Sequence, residues 1–225
     1  MTVRRRLEDA RILTAAGQQE GAFIQVLIAT AATSKKRYGQ ETWDDGESFK
    51  NFIYDEMGII TGEWKYGVEL PFLGKKTPLE NILYHHLRCQ LLHEGTMPET
   101  IVFTRSEHEN GTTRDYLHLG NPFGYPDGWI DRLATAVWLA PENDDLWEDE
   151  SQYRLKAIEQ LGELRWDGSY CRRPGNRTKQ QKGNDETMSW TYAGVNMRFR
   201  YPPSIARLQV ADSLEQQVQR LRQEN

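Results

Sequence analysis

The sequence predicts a mainly α protein: a helical bundle with an inserted β-hairpin, followed by a small α/β region at the C-terminus. Three observations predict it. Apolar residues recur at helical spacing through most of the first 140 residues. A strand–turn–strand pattern around Asn110-Gly111 interrupts them. Near residue 189 the periodicity changes to the alternation of strands.

The elements follow in order. Val3 to Ala15 reads as a first helix, broken by Gly17, and Ala22 to Lys36 as a second with Phe23, Val26, Leu27 and Ala31 at helical spacing. A third opens at Asp45 or Gly46, runs through Phe49, Phe52, Ile53 and Met57, and is expected to end near Gly58. Gly62 to Lys76 carries Pro71 among three glycines and reads as a loop or irregular extended segment. Thr77-Pro78 offers a capping side chain followed by proline at the first helical position, so a helix is expected from there to Gly95. Residues 99–105 and 112–119 are strand-like. Pro126 is expected to start a helix striped by Ile130, Leu133, Ala134, Val137 and Trp138, ending at Pro141. These observations divide the chain into a bundle over 1–141 (hairpin about 99–119), an acidic linker over 142–150, and an accessory α/β region over 151–225. In that last region Gln152 to Trp166 is helical in pattern, Ser189 to Tyr201 alternates, and the tail beyond Pro202-Pro203 carries Ala211, Leu214, Val218 and Leu221 at helical spacing.

The stretch from Asn81 to Glu94 carries the chemistry. Wrapped at about 100° per residue, it puts Leu79, Leu83, Tyr84, Leu87 and Leu91 on one face. Asn81, His85, Arg88, Cys89 and His93 gather opposite, with His86 at the margin. Three of the five histidines therefore share one helix with an arginine, a composition suited to phosphate chemistry. The bland alternative is a solvated face with a surface ion pair of little energetic consequence. A zinc site built on His85, Cys89 and His93 lacks a further ligand, and no CxxC or HExxH pattern occurs, so no metal and no other cofactor is expected.

Arg88-Cys-Gln-Leu-Leu-His93, followed by Glu94-Gly95 at the end of a leucine-rich helix, resembles the R-x4-H signature of HEPN-domain proteins. The run from Ala10 through Gly17 to Ile28 is similar to a HEPN first helix pair. The resemblance spans roughly residues 5–140 and implies a HEPN-like bundle with Arg88 and His93 as catalytic residues. Asn81, His85, Cys89 and Glu94 would support them. It implies metal-independent RNA cleavage by 2′-OH attack at a composite site between two copies, leaving a 2′,3′-cyclic phosphate, in a defence or toxin-type setting with a regulatory or complex partner. Many members carry a polar residue where this chain has Cys89. A non-catalytic RNA-binding, dimerisation or regulatory module is therefore the alternative, and a helical protein unrelated to the family is a third.

Composition sets bounds. With 225 residues, 38% hydrophobic and 27% charged, the chain can bury one good core, and seven Trp with ten Tyr supply aromatic packing. The two cysteines, Cys89 and Cys171, suggest no disulfide framework, and no leader or membrane span is evident, so a cytoplasmic protein without a membrane partner is expected. A net charge of −5 excludes an indiscriminate polycation. Basic residues nevertheless concentrate late: Arg172, Arg173, Arg177, Lys179 and Lys182, beside Trp166 and Tyr170, offer a track for RNA. The plainer reading is that this loop solvates itself or pairs with the acidic stretch after Pro141.

Overall fold

The computed structural model describes residues 2–39, 44–62, 64, 67–109, 112–161, 186–192, 195–201, 211–212 and 214–216. The protein is mainly helical, with a small antiparallel sheet. No described helix is long and apolar enough to cross a membrane.

Helices α1 (Val3–Ala15) and α2 (Gln19–Tyr38) form an antiparallel pair, the positive φ of Gly17 allowing the tight reversal. Thr2 caps α1 by accepting from the Arg5 amide. Phe23, Val26 and Leu27 of α2 are fully buried, as the spacing predicts. α3 (Asp45–Asp55) is capped by Asp44, and α4 (Met57–Thr61) follows directly. The chain therefore stays helical past Gly58 and stops at Gly62, which takes the left-handed conformation suited to a helix end.

Gly62 to Lys76 is where the sequence expectation fails. It holds β1 (Gly67–Phe72), paired antiparallel with β2 (Lys75–Pro78), not an irregular segment. The partner that stabilises β1 on its other edge is distant in the chain: β8 (Val195–Tyr201), itself paired with β7 (Glu186–Tyr192). The four strands run in the order β2-β1-β8-β7. Thr77 accordingly lies in β2, and no side chain caps the helix that starts after Pro78.

The expected hairpin is present but shorter, as β4 (Glu107–Glu109) against β5 (Thr112–Arg114). β3 (Ile101–Thr104) instead pairs in parallel with β6 (Phe123–Pro126). Pro126 closes β6, and the following helix, α7, begins at Gly128 and runs to Trp138. The Ser106 hydroxyl accepts from the Gly128 amide (2.9 Å) and donates to Asp115 (2.7 Å), fixing the start of α7 against the β3–β4 loop.

Residues Pro141–Leu146 and Glu148–Glu150 form two 3-10 turns, and α8 (Ser151–Leu161) follows. Their acids bond to arginines and lysines of α1, α2 and α8: Asp149 to Arg4 (2.7 Å), Glu142 to Arg37 (3.0 Å), Asp145 to Lys36 (3.8 Å) and Asp144 to Arg154 (2.8 Å). Arg37 is the buried centre of this network. It also reaches Glu56 at 2.8 Å and stacks 4.5 Å from the Phe52 ring centroid, joining α2 to α3 and to the first 3-10 turn. The two described pieces of the tail, 211–212 and 214–216, are helical, and Leu214 enters the core.

Candidate functional site

The helix that carries the signature is built from three contiguous segments: α5 (Leu79–Asn81), a π-helical stretch Ile82–Arg88, and α6 (Cys89–Glu94). The wider turn shows directly in the Cys89 amide, which donates to the Tyr84 carbonyl five residues back. A uniform 100° wheel therefore misplaces part of this helix. Glu80 and Ile82 are buried along with Leu79, Leu83, Leu87 and Leu91, while Tyr84 is only half-buried. Glu80 tolerates burial because Arg200 of β8 bonds to it. Gly95, left-handed at φ +72°, ends the helix.

The π turn ends on Arg88. The side chain is half-buried, with its guanidinium carbon 5.1 Å from the Tyr84 ring centroid and 5.7 Å from that of Phe49. Its Nε is buried and unbonded, and among the described residues Arg88 has no hydrogen bond or ion pair. A permanently charged guanidinium beside two rings, with no carboxylate partner among the described residues, can bind an anion through its terminal N–H groups.

Tyr84 organises the surroundings. Its ring is 5.7 Å from Phe49, its centroid lies 5.7 Å from the Lys50 ammonium, and the His85 ring stands edge-on at 4.9 Å. Tyr84 lies so close to α3 that a Cβ at Gly46 would come within 2.7 Å of its Cζ and Oη. Lys50 is bonded to Glu47. Burial, then the Lys50 charge, holds the His85 pKa below its usual value. The His86 ring lies tilted 4.7 Å from Phe72 of β1, and burial followed by the His85 charge lowers its pKa as well.

The other residues singled out from sequence are more dispersed. His93 is exposed, and no hydrogen bond or ring contact joins it to Arg88. Glu94 is exposed and accepts from Gln90 Nε2 at 3.2 Å. Asn81 and Cys89 are half-buried, the latter a free thiol. Among the described residues, no group of three His, Cys, Asp or Glu is placed to hold a metal ion. Arg172, Arg173, Arg177, Lys179 and Lys182 lie outside the described residues, as does Cys171. Phe49, Lys50 and Gly46 complete the arginine site from α3 and were not legible in the sequence, since no local pattern says that α3 packs beside the π turn.

A groove of about 550 Å³ between α1 and α7 has an apolar floor that includes Leu7, Val26, Ile130 and Trp138. Arg4 on its rim is paired with Glu8 and Asp149, and no imidazole lines it, so it lacks the reactive groups gathered around Tyr84.

The fold and the arginine site define a mainly helical protein with a preformed cationic, aromatic-lined seam between two helices. The family model Rv1289 matches residues 2–170, and the chain belongs to that family. The match spans α1 through α8 and includes the whole signature helix. No curated protein and no solved structure matches the chain.

Proposed function

We propose that the protein is a metal-independent endoribonuclease of the R-x4-H kind, with Arg88 as its phosphate-binding residue and His93 as its proton-transfer group. The observation that carries the reading is Arg88: a half-buried, permanently charged side chain with an orphaned Nε, held in place by Phe49 and Tyr84. Local π turns inside α-helices recur at functional sites, and this one ends on that arginine.

In the reaction, the ribose 2′-oxygen attacks the adjacent phosphorus, its proton leaves to an imidazole, and the 5′-oxygen departs with a proton from an acid. The products are a 2′,3′-cyclic phosphate and a 5′-hydroxyl. Arg88 binds the non-bridging oxygens and stabilises the charge that builds on them. His93, exposed at the helix end, is the imidazole that takes or gives the proton. One protomer does not join the two side chains, so the site is completed by the signature helix of a second copy, a homodimer. A defence or toxin-type role, with a regulatory protein as further partner, belongs to the same proposal.

A second reading rests on His93 itself. Among the described residues nothing hydrogen-bonds to its ring, so no partner fixes its tautomer or aim. That favours a module which grips RNA through Arg88 without cleaving it. Incubating the protein with a structured RNA in EDTA, beside Arg88→Gln and His93→Ala, separates the two. Cleavage to cyclic-phosphate ends by the wild type alone supports the nuclease. RNA retained intact by wild type and His93→Ala, and lost in Arg88→Gln, supports the binding module.

A further inference from the structure

The groove between α1 and α7 has dimensions and a lining that bear on what it can hold. Its volume of about 550 Å³ falls within the range of small-molecule sites. It follows α1 from Arg4 to Ala15, a rise of about 16 Å along the helix, so it is long for its volume. The floor is apolar, and Leu7, Val26, Ile130 and Trp147 are each less than a tenth exposed. Ala10 of α1 and Ala134 of α7 leave space that larger side chains would close.

The two ends of the groove differ in charge. At one end Arg4 bonds to Glu8 (3.2 Å) and Asp149 (2.7 Å), and Glu150 accepts from Trp138 Nε1 (3.1 Å), so these groups satisfy one another. The indole of Trp138 therefore offers its ring, not an unpaired N–H. At the other end stand Arg11 and Thr14, three residues apart and hence neighbours on one face of α1. Neither side chain has a hydrogen bond or ion pair among the described residues. Asp131, also on the rim, has a partner of its own. Arg11 is thus the one unpaired charge on the rim among the described residues, and it is a cation.

We propose that this groove binds a single-chain carboxylate, a medium-length fatty acid. Its carboxylate bonds to Arg11 and Thr14, and its alkyl chain lies along the floor toward Trp138 and Trp147. Each feature of the ligand answers one of the groove. The elongated shape favours a linear chain over a compact ring system, and the volume excludes a folded partner. The apolar floor takes the methylenes, each adding about fourfold in affinity when buried. The free guanidinium selects an anion, and a carboxylate also accepts from the Thr14 hydroxyl. This site is separate from Arg88 and independent of the RNA reading.

The test is titration calorimetry of the full-length protein with sodium decanoate below its micelle concentration, beside octanoate and decyltrimethylammonium, together with thermal melting and gel filtration. One decanoate is expected to bind per chain, with octanoate about tenfold weaker and the ammonium ion not bound. Decanoate at about a hundred times its Kd is expected to raise the Tm by about 5–10 °C. Arg11→Gln weakens decanoate binding by roughly three- to tenfold, since this cation is exposed. Ala134→Leu fills the groove and abolishes both the binding and the Tm rise. Arg5→Gln makes the same charge change on α1 away from the groove and leaves binding as it was. Arg11→Gln alters only the surface, so it carries the test even if Ala134→Leu does not fold. Absence of decanoate binding by the wild type overturns the proposal, as does binding unchanged in Ala134→Leu, which places the ligand elsewhere. Equal affinity for decanoate and the ammonium ion, or no effect of Arg11→Gln, overturns the anionic head group. A wild-type dimer that Ala134→Leu converts to monomer, with no decanoate bound by either, gives the groove to a second copy and overturns it too.

Discussion

Arg88 contributes little to folding through polar contacts, and that makes its presence informative at the scale of a single residue. A half-buried cation with an unbonded Nε carries a desolvation cost that cation–π contact with Tyr84 and Phe49 offsets only in part. Arg88→Met keeps most of the packing and removes the unpaired charge. The account expects its stability in urea to match or exceed the wild type by up to ~1 kcal/mol, with RNA retention abolished. Arg37 is the opposite case. It is buried among Glu56, Glu142 and Asp55, and replacing it with Met removes the guanidinium that these three carboxylates share. Arg37→Met is expected to lose about 3–5 kcal/mol in the same denaturation experiment.

At the scale of elements, the seam between α3 and the π turn sets the geometry of the site. Gly46 makes it possible, because any Cβ there meets the Tyr84 ring at 2.7 Å. Gly46→Ala is expected to push Tyr84 off Arg88, costing about 1–3 kcal/mol in spite of alanine's better helix propensity, and to weaken RNA binding. The histidines of the same turn add a pH dependence. His85 and His86 both have folded-state pKa values below the ordinary one, so below about pH 6.5 the unfolded chain binds more protons than the folded one. Their contribution is present above that pH and is lost on acidification. His85→Gln/His86→Gln should therefore lose less stability than the wild type between pH 7.5 and 5.5, measured by urea denaturation.

Elements also show what the sequence made legible. The stripes of α1, α2 and α7 are local and periodic, so their buried faces followed from residue spacing alone. Strand β1 did not, because the β8 edge that stabilises it lies about 130 residues away, and Pro71 with the flanking glycines reads locally as a loop. Arg88 and His93 were visible as a spacing, and their helix was visible as an apolar stripe. The π turn was not, since a widened turn has no residue signature and shifts the faces that a regular wheel assigns. Phe49, Lys50 and Gly46 stayed hidden for a related reason: they meet Arg88 or Tyr84 only through packing between helices.

Across the whole molecule, β8 closes onto β1 and the 3-10 turns after Pro141 bond back to α1 and α2, so late segments brace the part that carries the signature helix. The signature helix thus sits between α3, which Arg88 faces, and the β1–β2 hairpin, which His86 faces. Membership of the Rv1289 family covers residues 2–170 and adds no activity of its own to this geometry. What the geometry contributes is a cationic side chain held against two rings and without a carboxylate partner among the described residues. The most direct measurement is binding of a short single-stranded RNA to the wild type and to Arg88→Gln at low salt, with both proteins confirmed folded by circular dichroism. The account predicts salt-sensitive binding by the wild type that falls at least tenfold in the variant. Equal affinity of the two proteins would contradict it.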